Sequence, residues 1–365
     1  MPQMLEDFLR GPKLTELVGS ETIKPGVANV LPPEFLTESL TKLDGMTAEW
    51  DEMSGNREGA PLTNADSPAR NYTPQGVQPR KATCIVAKEM YTVTQEMMLA
   101  LQSDNANVVK RAQQLIIRNL AMFRLRFDTT RLQAIYSLLA KGAIYADVNG
   151  NILPNSTGAA LTVACGTRIS RGKTDQVNGA AVGDWSNAGV SIKTSMVNII
   201  GDCMKTTGYR PDYVFYGANI LEYILANTTM KEYMKMHPGF VAQLIEGREI
   251  PPGFLGVKNW VPMENAINVL NGVATPWWGA KQLVFFPPVS PMTYELLPGA
   301  SLIPNGVATP NMTMDQMTSL CTRVNGYFSY ATMSVNPLAA SIIAGWAGLP
   351  VNKIPNATYD VDVAT

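Results

Sequence analysis

The clearest hydrophobic pattern in the chain is helical and lies between Ser103 and Gly142. Apolar side chains recur there every three or four residues, as on one face of a helix. Ser103 and Asp104 supply a capping signal before the pattern, and Gly142 supplies a terminating glycine after it. The pattern therefore predicts one helix over residues 104–141, about 57 Å long at 1.5 Å per residue. Its apolar positions are Val108, Ala112, Leu115, Ile116, Leu120, Phe123, Phe127, Ile135 and Leu138.

Shorter patterns on both sides of this helix predict an α+β chain. A β-rich stretch at residues 83–94 predicts a strand, and Asn149-Gly150 predicts a hairpin turn. A second amphipathic helix is expected at residues 190–205, ending at Gly208, followed by a strand, a turn at Gly217 and a short helix. Later strands are expected at 283–286 and 322–335, and an apolar segment follows at 338–350.

Two parts of the chain before the long helix show no regular pattern. Residues 1–43 alternate glycine, proline and short amphipathic pieces, which indicates an extended arm. Residues 44–80 are rich in turn residues, and a stretch of this length is unusual inside a compact domain. It is either disordered or a hairpin-like loop stabilised by something outside the monomer. Trp50 and Tyr72 favour the loop, because disordered segments are poor in aromatic residues.

The composition indicates a subunit with much covered surface. Charged residues make up 16% of the chain, against about 25% in an ordinary soluble domain. Such a chain must bury its apolar surface within itself or cover it with neighbours. The net charge of -1 provides no general attraction for nucleic acid or an anionic membrane. Since no apolar run approaches the ~18 residues that span a bilayer, and the start lacks a signal-peptide pattern, we expect no membrane partner and synthesis in a cytoplasm.

The solvent face of the long helix is basic, in contrast to the balanced charge of the whole chain. Two interpretations are open for this face. It is either a solvated surface with salt bridges between subunits, or a surface that faces the phosphates of DNA. The residues that would face DNA are Lys110, Arg111, Arg118, Arg124 and Arg131.

The residue patterns of catalysis and metal binding are not found in the sequence. The one histidine, His237, stands beside a Pro-Gly turn, and no nucleophile or phosphate-binding motif accompanies it. The four cysteines are far apart, so they predict buried thiols and no metal site. Asp51-Glu52 favours ion pairing over acid–base catalysis, and Trp277-Trp278 favours a core or interface anchor over a carbohydrate platform. We therefore expect no catalytic residue, no metal and no cofactor.

Three stretches, taken in order, carry a resemblance to a known family. The first is the loop from DGMTAEWDEMSGNREGAPL to VAKEMYTVT, which leads directly into the long helix. The second is DWSNAGVSIKTSMVNIIGDCMKTTGYRPDYVFYGANILEYILAN, and the third is GYFSYATMSV followed by NPLAASIIAGWAGLPVNKIPNA. In this order they resemble the lambda-like major capsid protein E family of tailed phages, a branch of the Hong Kong 97-type capsid fold. The resemblance covers about residues 35–355.

The resemblance implies a division of the chain and a function. It implies an N-terminal arm (1–43), an extended loop (44–86), a peripheral domain with the spine helix (87–189), an axial domain (190–324) and a return to the peripheral domain with a C-terminal tail (325–365). The implied function is structural and not enzymatic: self-assembly into hexamers and pentamers of an icosahedral shell around double-stranded DNA. The implied location is the virion, assembled in the host cytoplasm. Implied partners are further copies of the chain, a portal, a scaffold or protease, and a decoration protein.

In such a shell the extended loop would lie over an adjacent subunit. The residues expected to make this contact are Trp50, Asp51, Glu52, Arg57, Glu58, Arg70, Tyr72 and Arg80. Two other functions stay open. One is the shell of an encapsulin-like cellular compartment, which uses the same fold, and the other is a soluble carbohydrate-active enzyme that uses the tryptophans.

Overall fold

The computed structural model describes residues 31–53, 77–164, 168–239, 241, 244, 249–270, 273–304, 321–335 and 338–364. The helices whose bounds fall there are α1 (Gln95–Leu101), α2 (Ala106–Lys141), α3 (Ile192–Thr207), α4 (Asn219–Ala226) and α5 (Thr228–Met236). The strands are β1 (Thr47–Met53), β2 (Val77–Thr83), β3 (Ile85–Val93), β4 (Ala143–Ala146), β5 (Ile152–Leu153), β6 (Leu161–Ala164), β7 (Ile169–Arg171), β8 (Gln176–Val177), β9 (Ala180–Ala181), β10 (Tyr213–Tyr216), β11 (Asn259–Pro262), β12 (Ile267–Leu270), β13 (Val273–Pro276), β14 (Gln282–Phe286), β15 (Tyr294–Pro298), β16 (Ala300–Pro304), β17 (Cys321–Asn325), β18 (Tyr327–Val335), β19 (Leu338–Asn352) and β20 (Tyr359–Asp362).

The long helix is present as α2, and its 36 residues span about 54 Å. Its first turn is capped by Asn105, whose side chain accepts the N–H of Asn107 at 3.0 Å, so the expected cap at Ser103-Asp104 lies one residue too early. Gly142 ends it in the left-handed conformation, with φ +72°, as predicted. The last third of the helix is enclosed almost completely, whereas the first two thirds bury only one face. The helix therefore anchors the core at one end and is exposed to solvent at the other.

A long antiparallel strand, β19, is the centre of the sheet that packs with α2. It pairs with β18 along one edge, with β3 along the other, and with β15 at its far end. Its small residues permit this arrangement: a Cβ on Gly345 would lie 2.6 Å from the carbonyl oxygen of Ala87 and 2.5 Å from the ring of Phe328. The glycines that interrupt the apolar segment at 338–350 are thus packing positions within one continuous strand.

A second sheet separates two hydrophobic clusters. Its strand order is β11-β10-β14-β20-β7. Because side chains alternate along a strand, Phe215 and Phe286 face the cluster that contains α2, whereas Val214 and Phe285 face a cluster with α3 and α4. The sheet is therefore buried on both faces.

Three strand pairings join segments that the expected division places in different domains. Strand β20, expected in a tail that returns to the peripheral domain, is inserted in the second sheet beside β14. Strand β7, placed before residue 189 in the peripheral domain, pairs with β20 in that same sheet. Strand β15, expected in the axial domain, pairs with β19. Since backbone pairing joins segments that are distant in sequence, neither the boundary at 189/190 nor the one at 324/325 separates the two sheets.

The end of the expected N-terminal arm is part of the core. Phe35 is fully buried, with its ring 5.3 Å from that of Tyr213 and 5.4 Å from that of Phe286. The backbone N–H of Ser39 donates to the carbonyl of Leu296 at 2.8 Å. Residues 31–39 thus pack as a fixed element, which corrects the interpretation of 1–43 as a single extended arm. Residues 1–30 lie outside the described residues.

Candidate assembly surfaces

The base of the extended loop is a two-stranded antiparallel ribbon. Strand β1 pairs with β2 in a continuous register from Thr47 opposite Thr83 to Met53 opposite Val77. The N–H of Met53 donates to the carbonyl of Lys353 at 2.8 Å, so the ribbon lies against its own chain. The hairpin-like interpretation of the loop is therefore confirmed for these two strands, while residues 54–76 lie outside the described residues.

The inward side of β1 carries Trp50 and Glu52. Trp50 is 6% exposed and belongs to the main hydrophobic cluster, so its burial does not require a neighbouring subunit. Its indole N–H and Oε1 of Glu52 have no hydrogen-bond partner among the residues that the structure describes. The other carboxylate oxygen of Glu52 accepts the Nε–H of Arg80 at 2.9 Å. Trp50 therefore attaches the ribbon to the body of the subunit, whereas Glu52 joins β1 to β2.

The outward surface of the ribbon is the part left for a neighbour. Asp51 is exposed on β1, and nearly every residue of β2 is exposed. Pro79 and Lys81 stand in β2, a proline and a lysine of the kind that protect exposed edge strands from uncontrolled pairing. Of the eight residues expected at an inter-subunit contact, four lie outside the described residues: Arg57, Glu58, Arg70 and Tyr72.

Two of the five basic residues expected to face DNA point into the subunit. The Arg124 guanidinium stacks 3.3 Å from the ring centre of Tyr327 and pairs with Asp128 at 3.1 Å. Arg131 pairs with Glu38 at 3.5 Å and with Asp128 at 3.6 Å. The side chains of both arginines are about 15% exposed. A surface for phosphates needs exposed cations, so the packing of the isolated subunit does not favour Arg124 and Arg131 as residues that face DNA.

This ion network joins distant parts of the chain. Tyr327, at the start of β18, donates its hydroxyl proton to Asp128 on α2. Burial raises the pKa of Tyr327 well above its ordinary value, so the hydroxyl keeps the proton that it donates. The network thus fixes α2 against β18 and, through Glu38, against the segment at residues 31–39.

The other three basic residues lie near the amino-terminal end of α2 and are exposed. Lys110, Arg111 and Arg118 form no ion pair within the described part of the chain. Arg111 and Arg118 also line a groove of about 600 Å³ between α1 and α2. Its apolar lining comes from Met97, Ala100, Val108, Ala112 and Leu115. This end of the helix therefore presents a cationic and apolar surface.

The expected core role of the paired tryptophans agrees with the structure. Trp277 and Trp278 are 1% and 2% exposed and pack around Tyr136 of α2, so neither ring offers a platform to a sugar. Among the described residues no group of histidine, cysteine, aspartate and glutamate side chains could hold a metal ion. No helix within the described ranges is long and apolar enough to cross a membrane.

Comparison with known proteins gives a result only at the level of structure. No family model and no curated protein matches the chain. Among solved structures, the proposed capsid protein of a prophage from E. coli CFT073 matches with a TM-score of 0.50 and 11% identity, over 98% of this chain and 99% of that one. A phage-related protein from Bordetella bronchiseptica RB50 matches with a TM-score of 0.48 and 8% identity, over 98% of both chains. The SrpI encapsulin from Synechococcus elongatus PCC 7942 matches with a TM-score of 0.40 and 12% identity, over 98% of this chain and 96% of that one.

The long helix, the two-stranded ribbon and the double-sided sheet define the class of fold. The chain has a mixed α+β fold of the Hong Kong 97 capsid type, as expected. In particular, it shares the fold of the E. coli CFT073 prophage protein along almost its whole length.

Proposed function

We propose that this chain is the major capsid protein of a tailed phage, a structural subunit whose copies form the hexamers and pentamers of an icosahedral shell around double-stranded DNA. The observation that carries the proposal is the fold shared over 98% of the chain with a proposed prophage capsid protein. Fold alone does not assign a function. The chain's own features add support: low charge content, a ribbon exposed along β2, and no cluster of metal-binding side chains among the described residues.

The proposed assembly contact is the extended loop. Strand β2 presents an exposed surface with Arg80 and Lys81, and its partner β1 is fixed to the subunit through Trp50. A ribbon held at its base and exposed along one strand is suited to reach over a neighbouring copy. Its partners in the virion would be other copies of this chain, a portal, a scaffold or protease, and a decoration protein. Assembly would take place in the host cytoplasm.

The register of the ribbon permits a clean test of this contact. Met53 and Val77 are directly opposed, so replacing residues 54–76 by Asn-Gly closes the ribbon with a two-residue hairpin turn. We expect the unaltered chain to form shells in negative-stain micrographs. The shortened chain should stay a dispersed subunit with an unchanged circular dichroism spectrum and melting temperature.

Two outcomes would contradict the proposal. If the shortened chain forms shells normally, the loop is not needed for the contact between subunits. The proposed shell function would itself be contradicted if the unaltered chain stays monomeric at every concentration, and also in the presence of its scaffold. Virions that contain this chain and a protected genome would support the phage assignment, whereas shells that contain a cargo enzyme would indicate a cellular compartment.

A further inference from the structure

The groove between α1 and α2 is an apolar surface at the end of a rigid helix. Val108 is 39% exposed and Leu115 is 45% exposed, and both line the groove. Nearby, Leu99 on α1 and Met122 on α2 are 62% and 49% exposed. Single exposed apolar residues are common on protein surfaces. Several together, set in a concave surface, indicate a place where another segment binds.

The charges around the groove define what would bind there. Arg111 and Arg118 line it, and neither has an ion-pair partner in the part of the chain that the structure describes. Glu96 is the one acidic side chain in the lining. DNA phosphates would satisfy the two arginines but would leave the apolar floor exposed. A segment with an apolar face and acidic side chains would satisfy both.

The chain contains such a segment near its amino terminus, outside the described residues. Residues 4–9 read MLEDFL. Leu5, Phe8 and Leu9 have the spacing of one helical face, and Glu6 and Asp7 are the charged residues of the segment. The segment therefore matches the groove in both apolar character and charge.

The connection between the segment and the subunit is long enough. Leu31 is buried in the main hydrophobic cluster, and Glu38 pairs with Arg131 of α2. At about 3.3 Å per residue, the chain between Leu9 and Leu31 can span roughly 70 Å. Helix α2 is only about 54 Å long, so its amino-terminal end lies within reach. A tether that can span the distance makes the docking intramolecular, which favours the chain's own segment over a free peptide.

We propose that residues 4–9 dock in the α1–α2 groove of the same chain. Leu5, Phe8 and Leu9 cover the apolar floor, while Glu6 and Asp7 face Arg111 and Arg118. This docking does not depend on shell assembly. It assigns Arg111 and Arg118 to a protein contact, and Lys110 stays exposed beside them.

Photo-cross-linking in the full-length chain tests the docking directly. Val108 is replaced by benzoylphenylalanine, and after irradiation the protein is digested with trypsin. We expect a cross-link to the peptide of residues 1–10, which ends at Arg10. The same photo-reactive residue at Val197, which is 60% exposed on α3, is the matched control and should not capture this peptide.

Charge reversal then tests the specificity. Arg111→Glu with Arg118→Glu should lower the cross-link yield by about fivefold or more, and adding Glu6→Arg with Asp7→Arg should restore it. Because the two new arginines are trypsin sites, the yields of these variants are compared on the peptide of residues 1–13 that endoproteinase Lys-C releases. Rising salt should lower the cross-link yield in the chain that carries only the photo-reactive residue, because salt screens the attraction between the charged side chains. This measurement needs no charge-reversed variant, so a folding defect of such a variant cannot affect it. Absence of the 1–10 peptide from the chain that carries only the photo-reactive residue, or a yield indifferent to both charge reversal and salt, would overturn the proposal. In a mixture of isotope-labelled and unlabelled copies, a cross-link between the two would make the occupant a second copy and overturn docking within one chain.

Discussion

Arg168 and Asp360 form a buried ion pair, with 2.6 Å between Nη2 and Oδ2, that links the end of the long helix to the second sheet. The side chains are 11% and 14% exposed. Arg168 also donates to the carbonyl oxygens of Leu139, at 2.9 Å, and Ala140, which belong to the last turn of α2. Burial raises the pKa of the Asp360 carboxyl and lowers the pKa of the Arg168 guanidinium, because a low-dielectric environment disfavours charge.

Removing one charge of this pair should destabilise the subunit. Asp360→Asn would leave the Arg168 cation buried without its counter-charge, which typically costs about 3–5 kcal/mol. The control is Glu49→Gln in the exposed pair with Lys81, where a loss of at most about 1 kcal/mol is expected. Equilibrium urea unfolding of both variants measures the difference. Equal, small losses would show that the ion pair does not join the helix to the sheet.

Cys84 should be chemically protected in the folded subunit. It is 4% exposed, and burial raises the pKa of its thiol from 9.0 to about 11. At pH 8 the reactive thiolate is therefore scarce, and iodoacetamide should leave Cys84 unmodified while the more exposed Cys321 reacts. Mass spectrometry of tryptic peptides measures both residues in one sample. Equal labelling of the two thiols in native protein would contradict the prediction.

The same shift has a consequence for stability against pH. The folded state binds the thiol proton of Cys84 more tightly than the unfolded state does. The contribution of this proton to the free energy of unfolding is therefore complete below pH 9. It should be lost as the pH rises from about 9 to about 11, where the thiol of the folded state ionises. Urea unfolding of the unaltered chain and of Cys84→Ala across that range isolates the effect. Parallel pH profiles for the two chains would contradict it.

The two ends of α2 should respond differently to truncation of an apolar side chain. Ile135 is fully buried in the enclosed third of the helix, so Ile135→Ala should cost about 2–5 kcal/mol. Met122 is 49% exposed, so Met122→Ala should change the free energy of unfolding by no more than about 0.5 kcal/mol. Urea unfolding measures both. A similar cost at the two positions would show that the exposed end of the helix is packed as tightly as the buried end.

Local signals in the sequence were sufficient for the helices and tight turns. Helix α2 starts within two residues of its predicted first residue and ends at Lys141, because its apolar period and Gly142 are local features. Gly208 likewise ends α3, at φ +84°. The turn at Asn149-Gly150 also forms, with Gly150 at φ +81°. These features depend on backbone conformation over a few residues, which the sequence specifies directly.

Long-range pairing could not be predicted from the same signals. Strand β20 has four residues, too few for a periodic pattern, and its place between β14 and β7 depends on partners far away in the chain. The directions of Arg124 and Arg131 were missed because helical spacing does not reveal Tyr327 and Glu38 beside them. The groove at Val108 and Leu115 was missed since both residues fit the predicted apolar face, yet nothing in the described chain covers them.

Phe35 provides the sharpest test of the corrected arm boundary. Its ring is fully buried and contacts four aromatic rings, including that of Tyr294 at 5.2 Å, whose hydroxyl donates to the Phe35 carbonyl at 3.0 Å. Phe35→Ala would open a cavity among these rings, with an expected cost of about 3–5 kcal/mol. Leu40 is 98% exposed in the same segment, so Leu40→Ala should leave the free energy of unfolding within about 0.5 kcal/mol of the unaltered value. Urea unfolding of the two variants separates a core element from an arm: if Phe35→Ala costs as little as Leu40→Ala, residues 31–39 do not contribute to the fold of the isolated subunit.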